Sequence, residues 1–127
     1  MLDTHVLLWW ALDPEKLSRR ARGVVDDMEQ HGGFASAISI WELGIKIKRG
    51  KLELPITIED LTTRIERGNT VEFVPVDTQL WLASLSLAWD HNDPADRVIV
   101  ATAMGRNLPL LTKDRTIQEF PEVATVW

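Results

Sequence analysis

The chain has 127 residues, 45% hydrophobic and 26% charged, with a formal net charge of −5 and no cysteine. That is one core of ordinary size in a folded protein, and it excludes disulfides, thiolate zinc sites and a cysteine nucleophile. An acidic chain does not coat nucleic acid passively, so a polyanionic partner requires a local positive patch or bound cations.

The absence of cysteine suits a reducing compartment and points to the cytoplasm. The apolar start, Met1 to Leu12, has Asp3 where a signal peptide carries its basic region, and it lacks a small-residue cleavage site. No apolar run approaches the ~20 residues that span a bilayer, so no membrane is expected.

In chain order, Met1-Leu2-Asp3 predicts the stub of a strand, and Thr4 to Leu12 a helix stopped by Asp13-Pro14. A second helix is expected from about Leu17 to Gln30, where Ala21, Val24, Val25 and Met28 recur at helical spacing, with His31 at its end before Gly32-Gly33. Phe34 to Ile38 reads as a buried strand, Ser39 to Lys48 as a helix closed by Gly50, and 59–67 as an amphipathic helix ending at Gly68. Val71 to Val74 is a strand and Asp77 to Ala88 a helix. The strongest helix starts at Asp93-Pro94 and runs to Gly105, and strands are expected at 109–112 and 123–126. Strands alternating with helices argue for an α/β fold with a parallel sheet covered on both faces, in one domain over residues 1–127. Ligands of such sheets bind beyond the carboxyl ends of the strands.

Acids fall at those ends: Asp3, Glu42, Asp93 with Asp96, and Asp114. Each also has a local explanation. Asp3 and Asp114 suit N-caps, Ser39-Ile40-Trp41-Glu42 has the form of a capping box, and Asp93-Pro94-Ala95-Asp96 is a good helix start. What capping leaves unexplained is the lack of matching bases at this edge. Carboxylates gathered from separate strands repel one another, and a divalent cation is the simplest remedy. Hard oxygen donors without cysteine or paired histidine favour Mg2+ or Mn2+ over zinc. Such an ion acidifies water and neutralises charge on a phosphoryl oxygen, which is the chemistry of phosphodiester hydrolysis. Lys46, Lys48, Arg49 and Lys51 follow Glu42 and either hold phosphates or close the helix as solvated cations.

At Leu2-Asp3-Thr4-His5, Ser39-Ile40-Trp41-Glu42-Leu43 with Lys46 and Gly50-Lys51-Leu52, His91-Asn92-Asp93-Pro94-Ala95-Asp96-Arg97, and Leu111-Thr112-Lys113-Asp114, the sequence resembles the PIN-domain ribonucleases. It resembles most the toxin components of VapBC-type, type II toxin–antitoxin pairs. The resemblance implies a three-layer α/β/α sandwich around a central parallel sheet, and an acidic pocket that binds Mg2+ or Mn2+ and cuts RNA. It maps Asp3, Glu42, Asp96 and Asp114 onto the family's catalytic and metal-binding quartet, with Asp93 as an extra acid. Thr112 maps beside the pocket, and Arg97 joins the basic residues as a substrate contact. An antitoxin partner and a homodimer are implied as well. The chain departs from the pattern at Ala95, where an aromatic is usual, at Leu87 to Asp90, and in reaching its first acid at position 3.

Two other readings compete. A receiver-like signalling domain would use Asp77 as phosphoacceptor, but needs an acidic pair where only Asp3 stands. A catalytically silent PIN-like module would bind a protein partner alone. Adjacent Trp9 and Trp10 cannot both turn fully inward on one helix, so both are expected half-buried or one at an interface. His5 and His91 lie next to acids and are candidates for contact with RNA or for proton donation, although a metal-bound water needs no histidine base.

Overall fold

The computed structural model describes residues 1–127. Helix α1 (Thr4–Leu12) starts directly after Leu2, because Asp3 takes extended angles and its carboxylate accepts from Thr4 N. A 3-10 turn at Pro14–Lys16 leads into α2 (Arg19–His31), where the Ser18 hydroxyl accepts from Ala21 N. The second helix therefore begins two residues later than Leu17. Strand β1 (Gly33–Ser36), α3 (Ile38–Lys48), α4 (Ile58–Gly68) and β2 (Val71–Val74) follow. The rest comprises α5 (Thr78–Ser86), α6 (Pro94–Gly105), β3 (Leu110–Leu111), α7 (Arg115–Gln118) and β4 (Thr125–Val126).

Strands β1 and β2 pair in parallel, as do β3 and β4, and Leu2 bridges both Ala35 of β1 and Leu111 of β3 in parallel. The spatial order is thus β2, β1, Leu2, β3, β4. The chain leaves Leu2 toward β1 and β2, then returns to the other side of Leu2 at β3. That reversal is a topological switch point, and the crevice outside the carboxyl ends there is where parallel α/β sheets bind ligands. Asp3 and Thr112 are the residues that step out of the sheet at this point.

Consecutive strand residues face opposite sides. Leu111 joins a core of Leu2, Val6, Leu7, Ala21, Val25 and Leu61, whereas Leu110 joins Val98, Ile99, Ala103, Ile117 and Phe120. Helices α1 to α4 therefore cover one face and α6 and α7 the other, the expected three-layer sandwich. No helix is long and apolar enough to cross a membrane.

One boundary differs in a way that matters. The strand expected over 34–38 ends at Ser36: Ala37 N makes the last ladder bond, to Val74 O, and Ile40 N already turns back to Ala37 O. Helix α3 then begins at Ile38 with no side-chain cap. Ser39 lies inside the helix, buried, its hydroxyl accepting from Thr4 Oγ1 at 2.9 Å. The capping box does not form, which leaves Glu42 free for another role. Trp9 and Trp10 are both half-buried: Trp9 packs on His5 and Trp127, and Trp10 Nε1 donates to Glu29.

Candidate functional site

Asp3 is 2% exposed at the centre of the sheet edge. Its Oδ1 accepts from Thr4 N at 2.6 Å, and its Oδ2 accepts from Thr112 Oγ1 at 2.7 Å. The Thr112 hydroxyl in turn accepts from Asp114 N at 3.0 Å, so the first strand and β3 are tied by one short chain of hydrogen bonds. Burial pushes the Asp3 carboxyl above its ordinary pKa, against the pull of Thr112, His5 and Thr4 N, and the Glu42 carboxylate pushes it further.

Asp93 caps α6, its Oδ1 accepting from Ala95 N and Asp96 N, which sets Asp96 in the first turn. Asp96 Oδ2 meets His91 Nε2 at 2.6 Å. The Asp96 pKa is raised to about 7, first by burial and then by the nearby Asp93 and Asp3 carboxylates, with His91 opposing. His91 packs on Trp89 at 4.4 Å, and Trp89 stacks on Phe120. Glu42 projects from α3 into the same region, where its Oε1 accepts from Lys46 Nζ at 2.6 Å. Lys46 Nζ also lies 3.5 Å from His5 Nε2.

The Glu42 carboxylate is thus close enough to raise the pKa of Asp3, and the Asp3 and Asp93 carboxylates that of Asp96. Two features suit a cation among them: the carboxylate repulsion that raises the pKa of Asp3 and of Asp96, and Glu42 Oε2, a buried oxygen with no hydrogen-bond partner. The donors are hard oxygens, which fit Mg2+ or Mn2+. The sequence expects Asp3, Glu42, Asp96 and Asp114 as metal ligands, and the structure brings the first three to one region. No three His, Asp or Glu side chains are gathered to hold one ion. Lys46 and His91 sit on the carboxylate oxygens of Glu42 and Asp96, and Asp114 caps α7 through Thr116 N, reaching Asp3 only by way of Thr112.

Arg97 also does something other than expected. Its five N–H groups donate to the carbonyls of Ser84, Leu85, Leu87, Trp89 and His91 at 2.6–3.3 Å. A guanidinium has five donors, so none is left for a phosphate. Arg97 terminates α5 and holds the segment that carries His91, which makes it a positioning residue. Lys46 is likewise engaged with Glu42, whereas Lys48, Arg49 and Lys51 make no ion pair, and Arg49 and Lys51 are exposed. Asp77 caps α5 at the sheet edge, remote from the switch point. The sequence suggests RNA contact or proton donation for His91 but not its pairing with Asp96 Oδ2. The signal it lacked was the return of the 87–92 loop onto α6, which no local pattern encodes.

An α/β/α sandwich with acids at its switch point defines a class, and the chain belongs to the PIN domain family: the PIN domain model matches residues 1–123. Over its whole length the chain is similar to Ribonuclease VapC22 of Mycobacterium tuberculosis (strain ATCC 25618 / H37Rv), at 31% identity covering 97% of that protein. Its fold is similar to that in the crystal structure of VapBC2 from Rickettsia felis bound to a DNA fragment from their promoter. The TM-score is 0.67 at 14% identity, covering 99% of this chain and 96% of the other.

Proposed function

We propose that the protein is a metal-dependent endoribonuclease, residues 1–127 acting as one PIN domain, and the toxin of a type II toxin–antitoxin pair in the cytoplasm. The observation that carries this reading is the meeting of the buried Asp3 carboxylate with half-buried Glu42 and Asp96 from two other elements at the switch point, where Glu42 raises the pKa of Asp3 and Asp3 raises that of Asp96. Full-length similarity to a VapC ribonuclease supports it.

In this reading Asp3, Asp96 and Glu42 hold Mg2+ or Mn2+, with Asp93 and Asp114 adding negative charge and capping the helices that carry their neighbours. A bound ion supplies Lewis acidity that activates water and neutralises charge on the scissile phosphate. Thr112 keeps Asp3 Oδ2 oriented, Thr4 N keeps Oδ1 fixed, and Arg97 holds the His91 segment against α6. Helix N-termini at Asp3, Asp93 and Asp114 favour negative charge, which helps these acids ionise when a cation arrives. Glu42 Oε2 would be open to the ion with Lys46 still on Oε1, whereas His91 would have to leave Asp96 Oδ2 for that oxygen to bind. Lys48, Arg49 and Lys51 supply phosphate contacts.

An antitoxin is the protein partner in this reading, and the exposed apolar residues of α5, Trp81, Leu82 and Leu85, suit a contact between two copies. A silent protein-binding module remains the second reading, because no three ligands are gathered for an ion. Calorimetry with Mn2+ separates the two. Saturable binding that disappears in Asp3→Asn supports the nuclease, and absence of binding by the folded protein supports the module.

A further inference from the structure

Beside the acids lies a cavity of about 410 Å3, bounded by α3 and by the first turn of α6, whose wall includes Trp41, Glu42, Lys46, Arg49, Lys51 and Asp93. Its layout follows from helical spacing. Glu42, Lys46 and Arg49 stand at i, i+4 and i+7 along α3 and its C-cap, one acid of the centre followed by cations leading away from it. Lys46 is neutralised by Glu42, so the free positive charge of the cavity belongs to Arg49 and Lys51. Trp41 precedes Glu42 and is 55% exposed, although an indole ordinarily buries most of its surface.

We propose that this cavity is a nucleobase subsite for single-stranded RNA, the base stacking on the Trp41 indole while Arg49 and Lys51 hold the flanking phosphates. The proposal rests on the ribonuclease reading and adds where the strand lies and what holds it. Two observations select this occupant. The wall pairs an open aromatic face with unpaired cations, the combination that binds single strands through stacking and backbone charge. Glu42 and Asp93 belong both to this wall and to the acidic centre, so a strand seated here runs directly past the carboxylates. Ile45, Pro94 and Ala95 add apolar wall beside the indole, against which a flat base ring fits while its flanking phosphates meet the cations. A duplex offers no free base, since its bases stack on one another.

The test uses fluorescence anisotropy with a short labelled single-stranded RNA and the intact protein carrying Asp96→Asn, which prevents cutting. Adding Trp41→Ala weakens binding about tenfold with an unchanged salt slope, and Trp41→Phe keeps most of the affinity. Arg49→Ala and Lys51→Ala each weaken binding and reduce the salt slope by about 1. An abasic nucleotide at the seated position removes the difference between the proteins with and without Trp41→Ala, and duplex RNA shows none.

Equal affinity of the Trp41→Ala protein for single-stranded RNA overturns the proposal. So does a changed sedimentation coefficient with unchanged RNA affinity, which would place Trp41 in a contact between two copies. If the protein with Trp41 binds no RNA and the natural chain cuts none, the ribonuclease reading fails too. If both occur and Trp41→Ala is indifferent, only the subsite is lost.

Discussion

Asp3 and Asp77 are built by the same local rules. Each ends an extended segment (φ −69°, ψ 157° and φ −90°, ψ 177°), and each carboxylate accepts from the first turn of the helix that follows. They differ in where their strands stand. Asp3 leaves the middle of the sheet, 2% exposed, beside the β3 strand that delivers Thr112. Asp77 leaves β2, the edge strand, and makes an exposed cap bond to Leu80 N at 2.8 Å. The same strand–Asp–helix pattern is therefore a cap in one place and a candidate reaction centre in the other, and strand order decides between them.

The contrast breaks most visibly at Asp3. Asp3→Asn keeps the cap geometry and removes the charge, so cleavage of single-stranded RNA in Mn2+ should fall about a thousandfold with an unchanged circular dichroism spectrum. Asp77→Ala should leave cleavage as it was and cost about 1 kcal/mol in urea unfolding, the ordinary value of a lost cap. Equal losses of activity would erase the distinction.

Asp96→Asn tests the electrostatic half. The folded carboxyl keeps its proton to about pH 7 and the unfolded one releases it near 3.8, so ionisation costs stability as pH rises through that window. Removing the charge should therefore stabilise the protein by on the order of 2 kcal/mol at pH 8 and by nothing below pH 4, while cleavage is lost. The same protonation predicts that Mn2+ binding, followed by calorimetry, weakens severalfold between pH 8 and pH 6 as protons compete for Asp96.

A smaller effect belongs to Arg97. Lysine cannot reach five carbonyls, so Arg97→Lys should lower the unfolding free energy by about 2 kcal/mol. It should also loosen the His91 segment, visible as a shift of the His91 ring resonances toward those of an exposed histidine. Unmoved His91 resonances would assign Arg97 to the α5 terminus alone.

Much of this was legible beforehand. Periodicity marked α1, α4 and α6, and Asp93-Pro94 marked the start of α6 because a cap and a proline leave few other structures open. The acids stood out because they followed apolar segments at the expected ends of strands, although Lys46 pairs with Glu42. Less legible was whatever depends on chain segments meeting. Ser39 looked like a cap because Ser-x-x-Glu is a capping pattern, yet the turn at Ala37 drew it into α3 and onto Thr4. Arg97 looked like a phosphate ligand because it follows an acid, yet the 84–91 carbonyls it binds have no local signature. Glu42 with Lys46 was legible as an i, i+4 pair on the expected helix, whereas the His91 ring on Asp96 appears only once the 87–92 loop is folded.

Whether these carboxylates share an ion is decided by diffraction at the manganese absorption edge from crystals soaked in Mn2+. An anomalous peak is expected among the Asp3, Glu42 and Asp96 carboxylates, with the His91 ring moved off Asp96 Oδ2. A fully soaked crystal with no peak there, and His91 still on Asp96, would contradict a metal-dependent centre.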